Sequence, residues 1–439
     1  MKASRALDLV VAGAGAPVAA IGAYLGALTL FSRGLTTPKP DFSRKFAIVV
    51  PAHNEATGIV ATITSLRSLV YPTEQFSIVV IADNCTDATA SLARATGVTV
   101  IERFDDARRS KGFALTDVLP RVLQNPLIDA VVVIDADTHV DGNLLSAVSA
   151  RFAQGAQAAQ ADYQVANPDG GWRTQLMSVA FTCFHEVRSM GRERFGLSTG
   201  LRGNGMAFTR FALETVPHQA SSLVEDLEHG IALAKAGIRV VYIHEAHVRA
   251  EMPVEDDAAA SQRKRWERGR DLMRAEHGWP LLKLAVKNRS KVQADLAADV
   301  LIPPLTQVVK ANVLLSSAAF VFTLTRRRFV LSSVIAAVAV GGLGVHVASG
   351  WRRSGVGVSV LAKLPGYLRW KSGLTLGSTG ADNAWVRTRR IGEHSDSAPS
   401  VAGTLGAEFS SQHSIHTADH PISAHGDSTG EVSPNGTNN

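Results

Sequence analysis

Asp135 and Asp137 stand one residue apart at the end of Val131-Val132-Val133-Ile134, an apolar, β-branched run that reads as a buried strand continuing to Thr138. On extended backbone, two acids at that spacing point the same way, which suits a grip on one divalent cation. Mg²⁺ takes one or two protein carboxylates and leaves its other positions to water and substrate phosphates. A lone Asp-x-Asp is more often a solvated acidic turn, so the weight rests on its companions. The run Phe46 to Val50 leads into Pro51-Ala52-His53-Asn54-Glu55, and Ser77 to Ala82 ends in Asp83-Asn84-Cys85-Thr86-Asp87. A second acidic pair, Glu225-Asp226, opens a helix-like segment, and Gln262, Arg265 and Trp266 lie on a basic, helix-prone one.

The elements that must position these residues alternate. Strands are expected at Phe46 to Val50, Ser77 to Ala82, Val98 to Ile101 and the run into Asp135. Helices are expected at Thr57 to Leu69, Ala88 to Ala95 and Lys111 to Leu123. That alternation predicts an α/β fold with a mainly parallel sheet and right-handed crossovers. Ligands of such sheets sit beyond the carboxyl ends of the strands, where the acids and amides gather. Farther on, Ala158 to Val165 reads as a strand, Trp172 to Met190 as a helix and Val240 to His244 as a late strand. A helix from Val224 to Ala236 has Gly237 as its C-cap. Between them, Gly200-Leu201-Arg202-Gly203-Asn204-Gly205 is a glycine-dense loop running into a hydrophobic segment.

The 439 residues are 46% hydrophobic, and the apolar excess lies in two places. Ala6 to Phe31 carries one charge, Asp8, and is long enough to cross a bilayer. Its Gly13-Ala14-Gly15 is superficially like a dinucleotide-binding turn, but the glycine spacing is incomplete and no polar loop or helix start follows. The apolar core is also too long for a cleaved leader. Leu296 to Leu324 and Phe329 to Ser349 form the second concentration; Pro303-Pro304 and Lys310 interrupt the former, which reads as an interfacial helix and a short span. Val356 to Trp370 reads as an amphipathic surface piece. The net charge of +6 suits an anionic membrane or an anionic substrate equally. Cys85 and Cys183 form neither metal spacing nor a disulfide framework, which makes a reducing compartment the default. The expected organisation is an N-terminal transmembrane segment at 1–35, a catalytic domain at 42–275, a transmembrane and interfacial region at 296–370 and a disordered tail at 391–439. The tail's histidines lack metal spacing.

In this order and spacing, the motifs resemble the membrane-bound family-2 inverting glycosyltransferases, the group that includes cellulose, chitin and hyaluronan synthases. The resemblance runs from about Ala47 to Trp266. It rests on Val50-Pro51-Ala52-His53-Asn54-Glu55, Ala82-Asp83-Asn84-Cys85-Thr86-Asp87, Lys111-Gly112, Asp135-Ala136-Asp137, Gly203-Asn204-Gly205, Glu225-Asp226 and Gln262-x-x-Arg265-Trp266. It implies a GT-A-like, Rossmann-type fold flanked by transmembrane and interfacial helices. It also implies transfer from a nucleotide sugar, a UDP-sugar in the first instance, with Mg²⁺ or Mn²⁺. By the same resemblance, Asp137 holds the cation with Asp135 beside it, towards the nucleotide. Glu55, Asp83, Lys111 and Arg265 contact the donor. Asp226 is the base that deprotonates the acceptor, and Asn204, Gln262 and Trp266 meet the acceptor. Where many members have Asp-Asp-Gly or Asp-Asp-Ser, this chain has Asp83-Asn84-Cys85, so nothing specific carries over to Asn84 or Cys85.

The resemblance leaves two acceptor classes. The Gln-x-x-Arg-Trp signature favours a growing polysaccharide, with an export partner for the chain. The small number of candidate spans argues against a self-contained channel, and the alternative is single addition to a lipid or short glycan. No nucleic acid partner is expected. A non-catalytic membrane scaffold is disfavoured because every acid the chemistry needs is present, and a dinucleotide oxidoreductase because no glycine fingerprint follows Phe46. The expected location is the plasma (inner) membrane with the catalytic domain in the cytoplasm. Two late spans then put Arg326-Arg327-Arg328 outside, against the positive-inside tendency.

Overall fold

The computed structural model describes residues 2–326, 330–367 and 369. The tail at 391–439 with its histidines, and residues 327 and 328 of the arginine triplet, lie outside the described residues. After an N-terminal helix, α1 (Lys2–Leu30), strands and helices alternate: β1 (Phe46–Ala52), α2 (Ile59–Arg67), β2 (Phe76–Asp83), α3 (Thr89–Ala95), β3 (Thr99–Arg103), α4 (Lys111–Val122), β4 (Ala130–Val133). These four strands pair in parallel in the order β3-β2-β1-β4. Alternate residues of β1 face opposite layers: Phe46, Ile48 and Val50 pack with Ile59 and Ile63, whereas Ala47 and Val49 pack with Leu115 and Leu119. A strand buried on both faces reads as a continuous apolar run, which is why these strands were legible.

Past β4 the pairing becomes mixed. β5 (Thr138–Val140), α5 (Leu144–Ala153), β6 (Ala158–Val165), α6 (Trp172–Phe181), α7 (Arg188–Arg194), β7 (Met206–Thr209), α8 (Arg210–Thr215), α9 (Glu225–Lys235) and β8 (Val240–Ala250) complete the domain. The eight strands run β3-β2-β1-β4-β7-β6-β8-β5, with antiparallel pairing at β4–β7, β6–β7 and β5–β8. β6 pairs β8 in parallel, so four of the seven pairings are parallel, and the mainly parallel sheet expected is a mixed one. Strand β4 also ends earlier than its β-branched run suggests: Ile134 to Asp137 form an irregular turn before β5, so the two acids are not carried on extended backbone. The antiparallel register opposes Val133 to Met206, which brings the start of β7, and therefore Gly203 to Gly205, to the edge where β4 ends. Between α6 and α7, Thr182–Val187 form a π-helical turn, a rare form frequent at functional sites.

Helix α10 (Asp256–Asn288) follows, then α11 (Lys291–Leu301), α12 (Leu305–Arg326), α13 (Leu331–Ser354) and a 3₁₀ turn (Val358–Lys363). The apolar stretch expected to run from Leu296 to Leu324 divides at Pro303-Pro304. Leu296, Ala297 and Val300 of α11 pack against Leu227, Ile231 and Met273, so α11 buries its apolar face on α9 and α10. Among the described residues, three helices are long and apolar enough to cross a membrane: Arg5–Leu30, Leu305–Thr325 and Leu331–Ser354. They pack on one another through Ala19, Leu315, Ala319, Ala336 and Ala339.

Candidate functional site

The carboxyl ends of β2, β1 and β4, neighbours in the sheet, open onto one cavity of about 760 Å³. Glu55, Asp83, Lys111, Asp135, Asp137, Asp226, Gln262, Arg265 and Trp266 all line it. Nine of the ten residues expected to act on donor, metal or acceptor therefore face one space. The tenth, Asn204, does not. It is fully buried, its Oδ1 accepts from the Asp135 backbone N–H (3.1 Å), and its Nδ2 donates to Thr138 Oγ1 (2.8 Å). With both ends of its amide engaged in shaping the Asp135–Asp137 turn, Asn204 is a positioning residue and not an acceptor contact.

Lys111, the first residue of α4, ties the acids together. Its Nζ donates to Asp135 Oδ1 and to the Gly203 carbonyl, and lies 3.9 Å from Glu225 Oε1. Burial opposes its charge, but Asp135 and Glu225 outweigh burial and hold its pKa above the ordinary lysine value. Asp135 is thereby partly neutralised by protein. Among the described residues no three His, Cys, Asp or Glu side chains gather as a metal set. Two carboxylates without a third protein ligand fit Mg²⁺ or Mn²⁺ that completes its shell with phosphate oxygens and water, and do not fit a closed structural site.

Asp83 at the end of β2 is held by Arg103 (2.7 Å) and Asn84 (3.1 Å). Burial raises its pKa against the pull of Arg103. Asn84, in a left-handed conformation (φ 50°), also accepts from the Asp105 N–H at 2.7 Å. The departure from the family motif therefore has a local job: it braces the loop beside Asp83.

Glu225 and Asp226 occupy the first turn of α9, where the helix dipole favours acids. Burial pushes Glu225 up to about 7; Lys111 pulls it down and Asp226 pushes it up. Burial also raises Asp226, against the Leu227 N–H, Lys111, Arg202 and Arg270. Gly203 has φ 82° and a Cβ there would lie 3.6 Å from Asp226 Oδ2, so the glycine lets the loop pass close to the acid. Gln262, Arg265 and Trp266 fall at i, i+3 and i+4 of α10 and so share a face. Burial lowers the Arg265 pKa, against the pull of Glu225 and Asp135. The Trp266 ring packs 6.0 Å from that of Phe181 and against the sheet core, so part of its surface is structural.

Residues 43–269 match the family model described as "Glycosyltransferase like family 2". The chain belongs to glycosyltransferase family 2. Its mixed α/β domain is the GT-A-like architecture expected of that membership. It is 24% identical over 234 residues to the probable glycosyltransferase YdaM of Bacillus subtilis, an alignment covering 51% of this chain and 55% of that protein. It is 27% identical over 251 residues to a beta-monoglucosyldiacylglycerol synthase of Synechocystis, covering 53% and 48%. The chain thus aligns with about half the length of these curated relatives. Among solved structures, the mannosyltransferase PcManGT from Pyrobaculum calidifontis, in complex with GDP-Man and Mn²⁺, is 17% identical with a TM-score of 0.48, covering 77% of this chain and 97% of that one.

Three cavity residues were not anticipated. Arg270 extends the Gln262-Arg265-Trp266 stripe to i+8, a signal present in the sequence. Arg202 sits inside the glycine-dense loop beside Asn204. Arg188 follows the π-helical turn, whose extra residue rotates the helix face in a way no spacing rule exposes.

Proposed function

We propose that this family-2 protein moves one sugar from a nucleotide-sugar donor to a hydroxyl of a membrane lipid, with inversion. The observation that carries the reading is the extent of the cavity. From the acids it continues to Ile302, Pro303, Pro304 and Val309 at the start of α12, and to Val347 of α13. Val309 and Val347 also line a groove of about 380 Å³ between α12 and α13, with Val313, Val340 and Leu343. An acceptor with its hydrocarbon tail among the membrane helices would thus reach the acids without leaving the bilayer surface. The diacylglycerol synthases among the relatives favour the same acceptor class.

The residues divide the chemistry. Asp226 takes the acceptor hydroxyl's proton as the acceptor oxygen bonds to the anomeric carbon on the face opposite the phosphate. The anomeric carbon–oxygen bond breaks, and its electron pair leaves with the nucleoside diphosphate. Mg²⁺ or Mn²⁺, held by Asp137 with Asp135, would supply positive charge beside the diphosphate. Arg265 donates to the same oxygens. Glu55 and Asp83 face the nucleoside, Lys111 fixes Asp135 against Glu225, and Gln262 with Trp266 forms the acceptor wall. The assignment of 42–275 to catalysis and of α1, α12 and α13 to a plasma (inner) membrane, catalytic domain in the cytoplasm, belongs to this reading. With all three helices spanning, the ends of the bundle lie on opposite sides.

The Gln-x-x-Arg-Trp stripe favours the second reading, polysaccharide synthesis with an export partner, and one experiment separates the two. Vesicles holding the full chain are incubated with a panel of radiolabelled nucleotide sugars, each with Mg²⁺ or Mn²⁺. Lipid transfer gives an organic-soluble product carrying one sugar; a water-soluble polymer as the main product would refute it.

A further inference from the structure

Between Asp226 and the membrane helices, the cavity wall is built of guanidinium groups. Arg188, Arg202 and Arg270 stand 5.1, 4.0 and 5.1 Å from the ring centre of Phe184, which the π-helical turn presents. Arg188 and Arg202 are 4% and 8% exposed and line the cavity. Buried charges are normally paired and hydrogen-bonded. Here the pairing is incomplete: the Nε atoms of Arg188 and Arg202 have no hydrogen-bond partner among the described residues. The main carboxylate is Asp299, 3.3 Å from Arg188, 2.9 Å from Arg192 and 3.8 Å from Arg202. Arg192 also takes Asp295, at 3.0 Å. Burial lowers the Arg202 pKa to about 9, against Asp299, and the neighbouring arginines add to the fall. Asp226 faces Arg202 and Arg270 from the other side and surrenders its charge when it accepts the acceptor's proton. The three arginines of the wall and the fully buried Arg192 behind them then share two carboxylates, Asp295 and Asp299.

Resting on the lipid-acceptor reading above, we infer that the acceptor carries a phosphate between its hydroxyl-bearing headgroup and its hydrocarbon tail, and that Arg188, Arg202 and Arg270 hold that phosphate. The order along the cavity matches such a molecule. The base lies at one end and the arginines follow. The apolar groove begins at Ile302, one turn after Asp299, and at Val347, beside the His346 carbonyl that Cys183 touches at 3.8 Å. A neutral diacylglycerol would leave the unpartnered guanidinium atoms buried, whereas a phosphate offers several acceptor oxygens to planar forks. Donor phosphate has a separate partner in Arg265, which feels Glu225 and Asp135 and not Asp299.

The test measures binding to the purified full chain without donor. The probes are dihexanoyl phosphatidylglycerol, dihexanoylglycerol and inorganic phosphate, and the readout is tryptophan fluorescence. Phosphatidylglycerol is expected to bind about tenfold or more tightly than dihexanoylglycerol, the scale of one charge-assisted hydrogen bond. Arg202→Gln should abolish that preference and Arg202→Lys should keep part of it. If Arg202→Gln does not fold, Arg270→Gln, at a partly buried position, carries the same expectation. Equal binding of the two lipids overturns the phosphate site while leaving lipid transfer intact. So does inorganic phosphate binding as tightly as phosphatidylglycerol, which would assign the arginines a free anion. Arg202→Gln weakening nucleoside diphosphate by the same factor would assign them to the donor. If neither lipid binds a chain that still hydrolyses its donor, the lipid-acceptor reading itself falls.

Discussion

Asn204→Ala tests whether the glycine-dense loop shapes the Asp135–Asp137 turn or meets the acceptor. The substitution removes two side-chain hydrogen bonds and leaves the Asp135 N–H and the fully buried Thr138 hydroxyl without those partners. An orphaned buried polar group costs roughly 1–3 kcal/mol; the Asp135 N–H loses its side-chain acceptor, while the Thr138 hydroxyl keeps its contact with Asp137 Oδ1 at 3.4 Å, so the substitution should cost about 2–4 kcal/mol. For a domain of this size that is a fall in Tm of roughly 5–10 °C. The same loss frees the turn, and the carboxylates should bind a cation less well. Thermal unfolding of the detergent-purified protein, with activity titrated against Mn²⁺, reads both effects. The expected result is a lower Tm together with a right-shifted metal dependence that saturating Mn²⁺ partly rescues. An unchanged Tm and metal dependence, with only the acceptor KM raised, would restore the acceptor role and refute the positioning role.

Asp137→Asn should lower turnover by roughly a hundredfold or more, since the amide keeps the shape but loses the charge beside the diphosphate; near-normal turnover at low Mg²⁺ would remove Asp137 from the metal site. Asp226→Asn should cut transfer by roughly a hundred- to ten-thousandfold with donor binding close to wild type, and a parallel collapse of donor binding would point to Glu225 as the base. Because Glu225 is raised to about 7, the folded state holds a proton that the unfolded state releases near pH 4.5. Its contribution to stability is present below pH 4.5 and lost as pH rises towards 7, so Tm of the ligand-free protein minus that of Glu225→Gln should fall across that window; a flat difference would contradict the burial. Trp266→Ala should raise the acceptor KM more than the donor KM; equal effects would place the indole with the nucleotide.

What was legible in the sequence follows from range. Strands β1, β2 and β4 announce themselves because both faces are buried, and the acids after them fall where parallel strands must end. The three- and four-residue strands β5 and β7 are too short to show a period, and their pairing depends on partners about 70 to 110 residues away. Asn204 was visible as part of a motif but its direction was not, because antiparallel register, and not local spacing, turns it towards Asp135. In α11, the apolar residues looked continuous with the membrane helix that follows. The contrary signal was Asp295 and Asp299, four residues apart and so on one helix face. It becomes meaningful only once Arg188 and Arg192, more than a hundred residues earlier, are brought alongside.

That pairing also explains how the cavity keeps its place relative to the membrane helices. Arg192, fully buried, joins Asp295 and Asp299 of α11 to Tyr24 of α1, whose hydroxyl it reaches at 2.8 Å and which itself donates to Asp295 at 2.8 Å. Beside it, a Cβ on Gly191 would lie 2.4 Å from the Leu28 carbonyl, so α7 and α1 touch backbone to backbone. On the other side, Arg353 of α13 donates to Glu186 (3.0 Å) and to the Ser32 carbonyl (2.7 Å). Such buried ionic contacts add little net stability over an apolar replacement, but breaking one partner costs about 3–5 kcal/mol, because a charge is left unpaired. Their effect is on geometry: sliding the domain along the helices by even one helical turn would break several at once. The distance from Asp226 to the groove between α12 and α13 is therefore fixed by the protein. On the lipid-acceptor proposal, an acceptor would have to match that distance with its own headgroup, so the protein would select acceptors by the length between tail and hydroxyl, before any contact with the sugar is made.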